Sequence, residues 1–212
     1  MKKRIICALF ALYMMLTLMP TAALADEVDD AAQIGETGYA SLQEAVDAAH
    51  EGQTIKLLKD IVLESPVTIT SDHNAFTLDL NGKQLYGGGK KSAIRHSGSN
   101  TLTIVDNSGS GRGKVNSATP KLLESGTIVL EGGTDADTVF IIESGSVVSS
   151  DLGTAILHNG GGSVVVTGTA TVQNYSTGRA IEIASAGKVT VGGNALVKGM
   201  NGQSTIFISM AK

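Results

Sequence analysis

A repeat offset of 25 governs what this chain can fold into. Between Thr154 and Ile208, Ala155-Ile156 returns as Ala180-Ile181 and Val164-Val165-Val166 as Val189-Thr190-Val191. Ala170-Thr171-Val172 returns as Ala195-Leu196-Val197 at the same offset, and Ile156 and Ile181 continue to Ile206. A fixed offset of this length marks a solenoid, in which each unit buries its apolar side only by stacking on its neighbours. Each unit holds three short apolar runs divided by small or turn-forming residues, as in Gly160-Gly161-Gly162, Gly168 and Gly178. None of the runs is long enough for a helix. Three short strands per turn of chain, each about 4.8 Å from its counterpart in the next turn, describe an all-β parallel β-helix. Upstream, Ile128-Val129-Leu130, Val139 to Ile142 and Val147 give the same three runs less regularly. They are preceded by Ala93-Ile94, Leu102-Thr103-Ile104 and Val115, and by Val67 to Ile69, Leu78-Asp79-Leu80 and Leu85.

Residues 1–25 stand outside this pattern. Lys2-Lys3-Arg4 precede an apolar run from Ile5 to Leu18, Pro20 follows, and Ala23-Leu24-Ala25 gives the small-x-small pattern before Asp26. The segment reads as a secretory signal peptide, and the run is too short for a membrane anchor, which needs about 20 apolar residues. Its removal takes three positive charges from a chain of net charge −4, leaving −7 on the remainder from Asp26 onward. An acidic chain without a basic stripe is not built for nucleic acid or an anionic membrane. Cys7 leaves with the signal, so the exported chain has no disulfide and depends on stacked apolar rungs and backbone ladders.

Asp26 to Gly38 is acidic, rich in small residues and without clear period, and reads as a flexible lead-in. Residues 39–212 then form the β-helix domain. In Ser41 to His50, Leu42, Ala45, Val46 and Ala49 fall on one face of an amphipathic helix, with Ser41 as N-cap, Glu44 completing a capping box and Gly52 marking the stop. Such a helix covers the open N-terminal end of the stack, where bare strand edges would otherwise seek partners.

Ser41 to Ala49, Gly52-Gln53-Thr54-Ile55, Leu78-Asp79-Leu80-Asn81-Gly82-Lys83 and Leu102-Thr103-Ile104-Val105-Asp106 together resemble the start of pectin-lyase-like right-handed parallel β-helices. More narrowly, they resemble such domains in large surface proteins of Gram-positive anaerobes. The resemblance implies a right-handed solenoid in a secreted or cell-surface protein. It does not fix an activity, because lyases, hydrolases, adhesins and tailspikes share the fold.

For the hydrolases of that superfamily the resemblance would require clustered aspartates with Gly-His-Gly and Arg-Ile-Lys motifs, and these strings are absent from the sequence. The lyases would require a calcium-binding acid cluster and an arginine base. Arg95, Arg112 and Arg179 are available, but no carboxylates recur at the repeat offset, where Glu182 aligns with Leu157 and Phe207. Asp135 and Asp137 offer hard oxygens to calcium but are too few for its six to eight ligands. They read more simply as a solvated turn. His50, His73, His96 and His158 lack metal-ligand spacing and read as surface or turn residues. No cofactor is called for.

The excursion Asp106 to Gly113, with Asp106 and Arg112, and the loop pair Lys90-Lys91 are the loop residues able to meet a ligand. Phe140 and Phe207 read as core, which leaves Tyr86 and Tyr175 as exposed rings for stacking on a sugar or protein. The run Ile206-Phe207-Ile208 begins a rung with no polar cap before Lys212, so this end is expected to meet more chain, another chain, or the last residues folding back on it. No Leu-Pro-x-Thr-Gly sorting string is present. The leading expectation is a non-catalytic adhesin-like or stalk module that holds an extracellular glycan or a host or cell-surface protein. The alternatives are a polysaccharide lyase or hydrolase or its remnant, and a self-assembling surface protein.

Overall fold

The computed structural model describes residues 29–89, 91–119, 125–134, 137–185, 187–200 and 205–208. The chain winds as an all-β parallel solenoid of the right-handed type, with about six turns and three sheets. Sheet A carries β3 (Thr54–Leu57), β6 (Phe76–Asp79), β9 (Leu102–Val105), β12 (Thr138–Ile142), β15 (Ser163–Val166) and β18 (Lys188–Val191). Sheet B carries β4 (Ile61–Leu63), β7 (Gln84–Gly87), β10 (Lys114–Ser117), β13 (Ser146–Ser149), β16 (Thr171–Asn174) and β19 (Leu196–Lys198). Sheet C carries β5 (Val67–Ile69), β8 (Ile94–His96), β11 (Gly126–Leu130), β14 (Thr154–His158), β17 (Ile181–Ile183) and β20 (Ile206–Ile208). Among the described residues no helix is long and apolar enough to cross a membrane.

Register explains why the repeat is clean in one half and blurred in the other. Val164 pairs with Val189 at an offset of 25, and Phe140 with Val164 at 24, but Leu102 pairs with Phe140 at 38. The long turn holds the 106–113 excursion and the segment 118–125, so a fixed period is lost without loss of stacking. Strand alternation does the rest: Leu102, Ile104, Phe140, Ile142, Val164 and Val166 point inward and are buried, while Thr103 and Val165 between them stay on the outer side. Each fully buried Leu, Ile, Val or Phe contributes about 1.5–3 kcal/mol, and one continuous column of them runs through the solenoid.

The corners are as tight as the rungs. Asn81 and Gly82 both take positive φ (48° and 73°) to turn the chain from sheet A to sheet B, a conformation that glycine adopts without a Cβ penalty. At the turn from sheet C to sheet A, a Cβ on Gly160 would lie less than 3.0 Å from the carbonyl oxygen of Gly132 one rung below.

Two further strands lie at the N-terminal end. β1 (Ala32–Ile34) and β2 (Thr37–Tyr39) form an antiparallel hairpin, and β1 extends sheet A by pairing with β3. Three-residue strands carry too little alternation to be read from sequence, and their order comes from the partner edge. The helix α1 (Leu42–Ala48) has the expected capping box, with the Ser41 hydroxyl accepting from Glu44 N–H and the Glu44 carboxylate accepting from Ser41 N–H. It buries Leu42, Ala45 and Val46. It ends at Ala49, before Gly52, because Ala49 already has an extended backbone.

Two expectations are corrected. His96 and His158 are wholly buried rather than surface residues. They close β8 and β14 at inward positions, in the column Ile69, His96, Leu130, His158, Ile183. Phe207 is not core: its partner across the ladder is Glu182, on the outer side of sheet C, and the Arg179 guanidinium lies 3.5 Å from its ring centroid. Ile206 and Ile208 hold the inward positions of that rung and are exposed, since no further described strand stacks on β20.

Candidate binding face

Sheet B turns two columns of side chains outward. One reads Val62, Tyr86, Asn116, Val148, Gln173 and Lys198 in successive strands, of which Val148 and Gln173 are buried. The other reads Gln84, Lys114, Ser146, Thr171 and Leu196. At about 4.8 Å per strand, the six strands make a face about 24 Å long. Its centre is a registered square, with Gln84 beside Lys114 and Tyr86 beside Asn116 on the adjoining strands β7 and β10. All four side chains are half-buried, so they are held by the sheet while their ends reach solvent.

The sequence-chosen residues fall around this square. Tyr86 is in it. Arg112, exposed, sits two residues before Lys114 at the corner where chain enters β10. Lys83, the residue before β7, lies beside it, with its carbonyl accepting from Lys114 N–H at 3.0 Å. Lys91 lies at the opposite edge, where its Nζ donates to the Glu64 carbonyl at 2.8 Å. Tyr175 follows β16 on the outward side at that same edge and is 51% exposed. Tyr86 and Tyr175 belong to strands three apart, about 14 Å along the face. Lys90 lies outside the described residues.

Asp106 has a different task. Its carboxylate accepts from the N–H of Gly82 and Gly113, both at 2.8 Å, and from the Ser108 hydroxyl at 2.7 Å. Burial works against the charge. The hydrogen bonds from Ser108, Gly113 and Gly82 outweigh it and hold the carboxyl below its ordinary value. The carboxylate therefore ties the excursion to the rung below it, and it presents Arg112 without itself being free for a ligand.

The far edge of the face rests on a buried polar ladder, Ser117, Ser149 and Asn174, in register at the corner into sheet C. Ser117 shares a hydrogen bond with Thr127, whose hydroxyl donates to the Val148 carbonyl. Ser149 and Asn174 both donate to the Gly153 carbonyl. Buried polar groups paired in this way fix one corner geometry, and the Asn174 side-chain Oδ1, by accepting from Ser176 N–H, shapes the turn that carries Tyr175.

The remaining candidates lie elsewhere. Asp135 is outside the described residues. The Asp137 carboxylate accepts from the Thr134 N–H at 2.6 Å and hydroxyl at 2.8 Å, and these bonds lower its pKa. Among the described residues no group of three or more His, Cys, Asp or Glu side chains is placed to hold a metal ion. Arg95 is bonded to Glu131 and Arg179 to Glu182, both on or beside sheet C. Sequence reasoning missed Gln84, Lys114 and Asn116; the signal was present in their alternation with Leu85 and Val115, but only the pairing of β7 with β10 makes them neighbours of Tyr86.

Fold and face define the chain as an all-β parallel solenoid with an ordered polar-aromatic surface on one sheet. No family model, curated protein or solved structure matches it, and its own geometry is what bears on its function.

Proposed function

We propose that this protein is a secreted, non-catalytic solenoid module of the pectin-lyase-like surface type that holds an extended acidic glycan along the outer face of sheet B. The observation that carries the reading is the square of Gln84, Tyr86, Lys114 and Asn116 beside Arg112. A tyrosine ring offers a flat apolar surface to a sugar, and the two amides offer paired donors and acceptors to its hydroxyls. Lys114 and Arg112 supply cations for carboxylate or sulfate groups, on a chain whose overall charge would repel them. Side chains held on strands keep their spacing before the ligand arrives, which lowers the ordering cost of binding. The N-terminal segment, with its basic start, apolar run and small-residue end, supports export.

Affinity electrophoresis through gels containing hyaluronan, polygalacturonate or dextran tests the reading. The expected result is retardation by at least one of the acidic polymers and not by dextran, lost in Tyr86→Ala and in Lys114→Glu with unchanged circular dichroism. Retardation that persists in both variants, or that dextran produces equally, refutes it.

A further inference from the structure

The three sheets end differently at the N-terminal side. Sheet A is extended by the β1–β2 hairpin. Sheet C has no further described strand, but the Gln43 amide takes the place of one: its Nε2 donates to the Thr68 carbonyl at 3.0 Å and its Oε1 accepts from the Thr68 N–H at 2.8 Å. Sheet B ends at β4. Ile61 and Leu63 face β7, as the bond from Gly88 N–H to the Leu63 carbonyl shows. Alternation along a strand then turns the N–H and C=O of Val62 the other way, as it does those of Thr68. No described group meets them. The Val62 side chain is 72% exposed.

In front of this bare edge lies a cavity of about 510 Å³ between the start of α1 and β4, lined by Ala40, Leu42, Gln43, Ile61, Leu63 and Pro66 among others. Its volume falls in the range of ligand sites, roughly 300–1,000 Å³. Carboxylates predominate beside it. Lys59 is committed to Asp29, with Nζ 2.7 Å from the carboxylate, whereas Asp60, whose carboxylate also accepts from Gln84 N–H at 2.8 Å, and Glu64, whose carbonyl accepts from Lys91 Nζ at 2.8 Å, flank the strand at either end and form no ion pair among the described residues.

We propose that this edge is a docking site for one short extended peptide of a partner protein, which adds a strand to sheet B beyond β4. The partner segment pairs its backbone with the N–H and C=O of Val62, directs an apolar side chain into the cavity beside Ile61 and Leu63, and carries Lys or Arg at its flanks to meet Asp60 and Glu64. Strand addition draws its affinity from main-chain hydrogen bonds and its selectivity from alternate side chains. The three-residue length of β4 limits the addition to a single short strand. This site adjoins the β4 end of the sheet B face, and its test at Val62 and Glu64 is distinct from the test of the glycan reading at Tyr86 and Lys114.

The probe is a blocked pentapeptide, Lys-Thr-Val-Thr-Lys, added to the chain from residue 26, with amide hydrogen exchange and fluorescence anisotropy as readouts. The Val62 amide is expected to exchange freely in the protein alone and at least tenfold more slowly with the peptide bound. Val62→Pro removes the N–H within β4 that faces the open edge and leaves the ladder to β7 intact. It should weaken binding at least tenfold without moving Tm, and Glu64→Gln should weaken it severalfold. An N-methyl group on the central Val of the peptide should have the effect of Val62→Pro. The proposal is overturned if the unmodified and N-methylated peptides bind alike or not at all. It is equally overturned if the Val62 amide is already protected without peptide, since the edge would then be filled by the chain's own N-terminal segment or by a second copy.

Discussion

Replacing His96 with Leu should stabilise this protein, and more so in acid. The ring is fully buried, and among the described residues neither of its nitrogens has a hydrogen-bond partner of good geometry. Burial lowers its pKa from 6.5; the nearby backbone of Asn100 and of His96 itself offsets part of the effect, and His73 and His158 add to it. In its column the ring stands between Ile69 and Leu130, so a Leu side chain meets apolar neighbours above and below. A buried unpaired polar group costs about 1–3 kcal/mol, and an apolar replacement of similar size costs under about 1.5 kcal/mol in fit. The net gain at about pH 8 is therefore roughly 1 kcal/mol. The acid effect follows from the direction of the shift. With the folded pKa below the unfolded one, the unfolded chain binds the proton first, so stability is full above 6.5 and is lost as pH falls from there toward the folded pKa. For as long as the ring stays neutral, each pH unit below 6.5 costs the native protein about 1.4 kcal/mol, and His96→Leu escapes this loss. Urea denaturation of both proteins at about pH 8 and about pH 5.5 reads the difference, and contributions from other groups cancel between the two. A variant less stable than the native protein at both pH values, or a gap that does not widen in acid, would refute the reasoning.

Three further outcomes follow from the packing. Gly160→Ala places a methyl group against the Gly132 carbonyl, which backbone on both sides prevents from yielding, and should destabilise by about 1–3 kcal/mol or more in the same denaturation assay. Asp106→Ala leaves the N–H groups of Gly82 and Gly113 without their acceptor and should free the 106–113 excursion, seen as faster amide exchange at both glycines. In the native protein this stabilisation is present above the ordinary carboxyl value of 3.8 and is lost as pH falls below it through the lowered folded value. Gln43→Ala exposes the Thr68 edge and should cost about 1–2 kcal/mol for two hydrogen bonds, with Thr68 exchange rising while Leu57 in sheet A stays protected.

The solenoid itself was legible in the sequence, because stacking at a fixed offset writes its period into the chain. Ala155 recurs as Ala180 and Val164 as Val189 for the physical reason that identical environments on successive rungs select similar side chains. The cap helix was equally legible, since Ser41, Glu44 and the spacing of Leu42, Ala45 and Val46 are local signals. Where the turn lengthens between Leu102 and Phe140 the period fades, and only the pairing of these two residues restores it.

What tertiary structure alone decided is which residues share a face and which edges stay bare. Tyr86 and Arg112 stood out singly, but Gln84, Lys114 and Asn116 became their neighbours through a parallel ladder that joins a whole turn of chain to the next. His96 reads as an ordinary polar residue until alternation after Ile94 turns it inward. The β1–β2 hairpin takes its order from the edge of β3, and the same contest for edges leaves the outer edge of β4 without a described partner while Gln43 closes β5. Sequence carries local period and capping because these depend on neighbours along the chain. Register and edge closure depend on partners distant in sequence, and folding settles them.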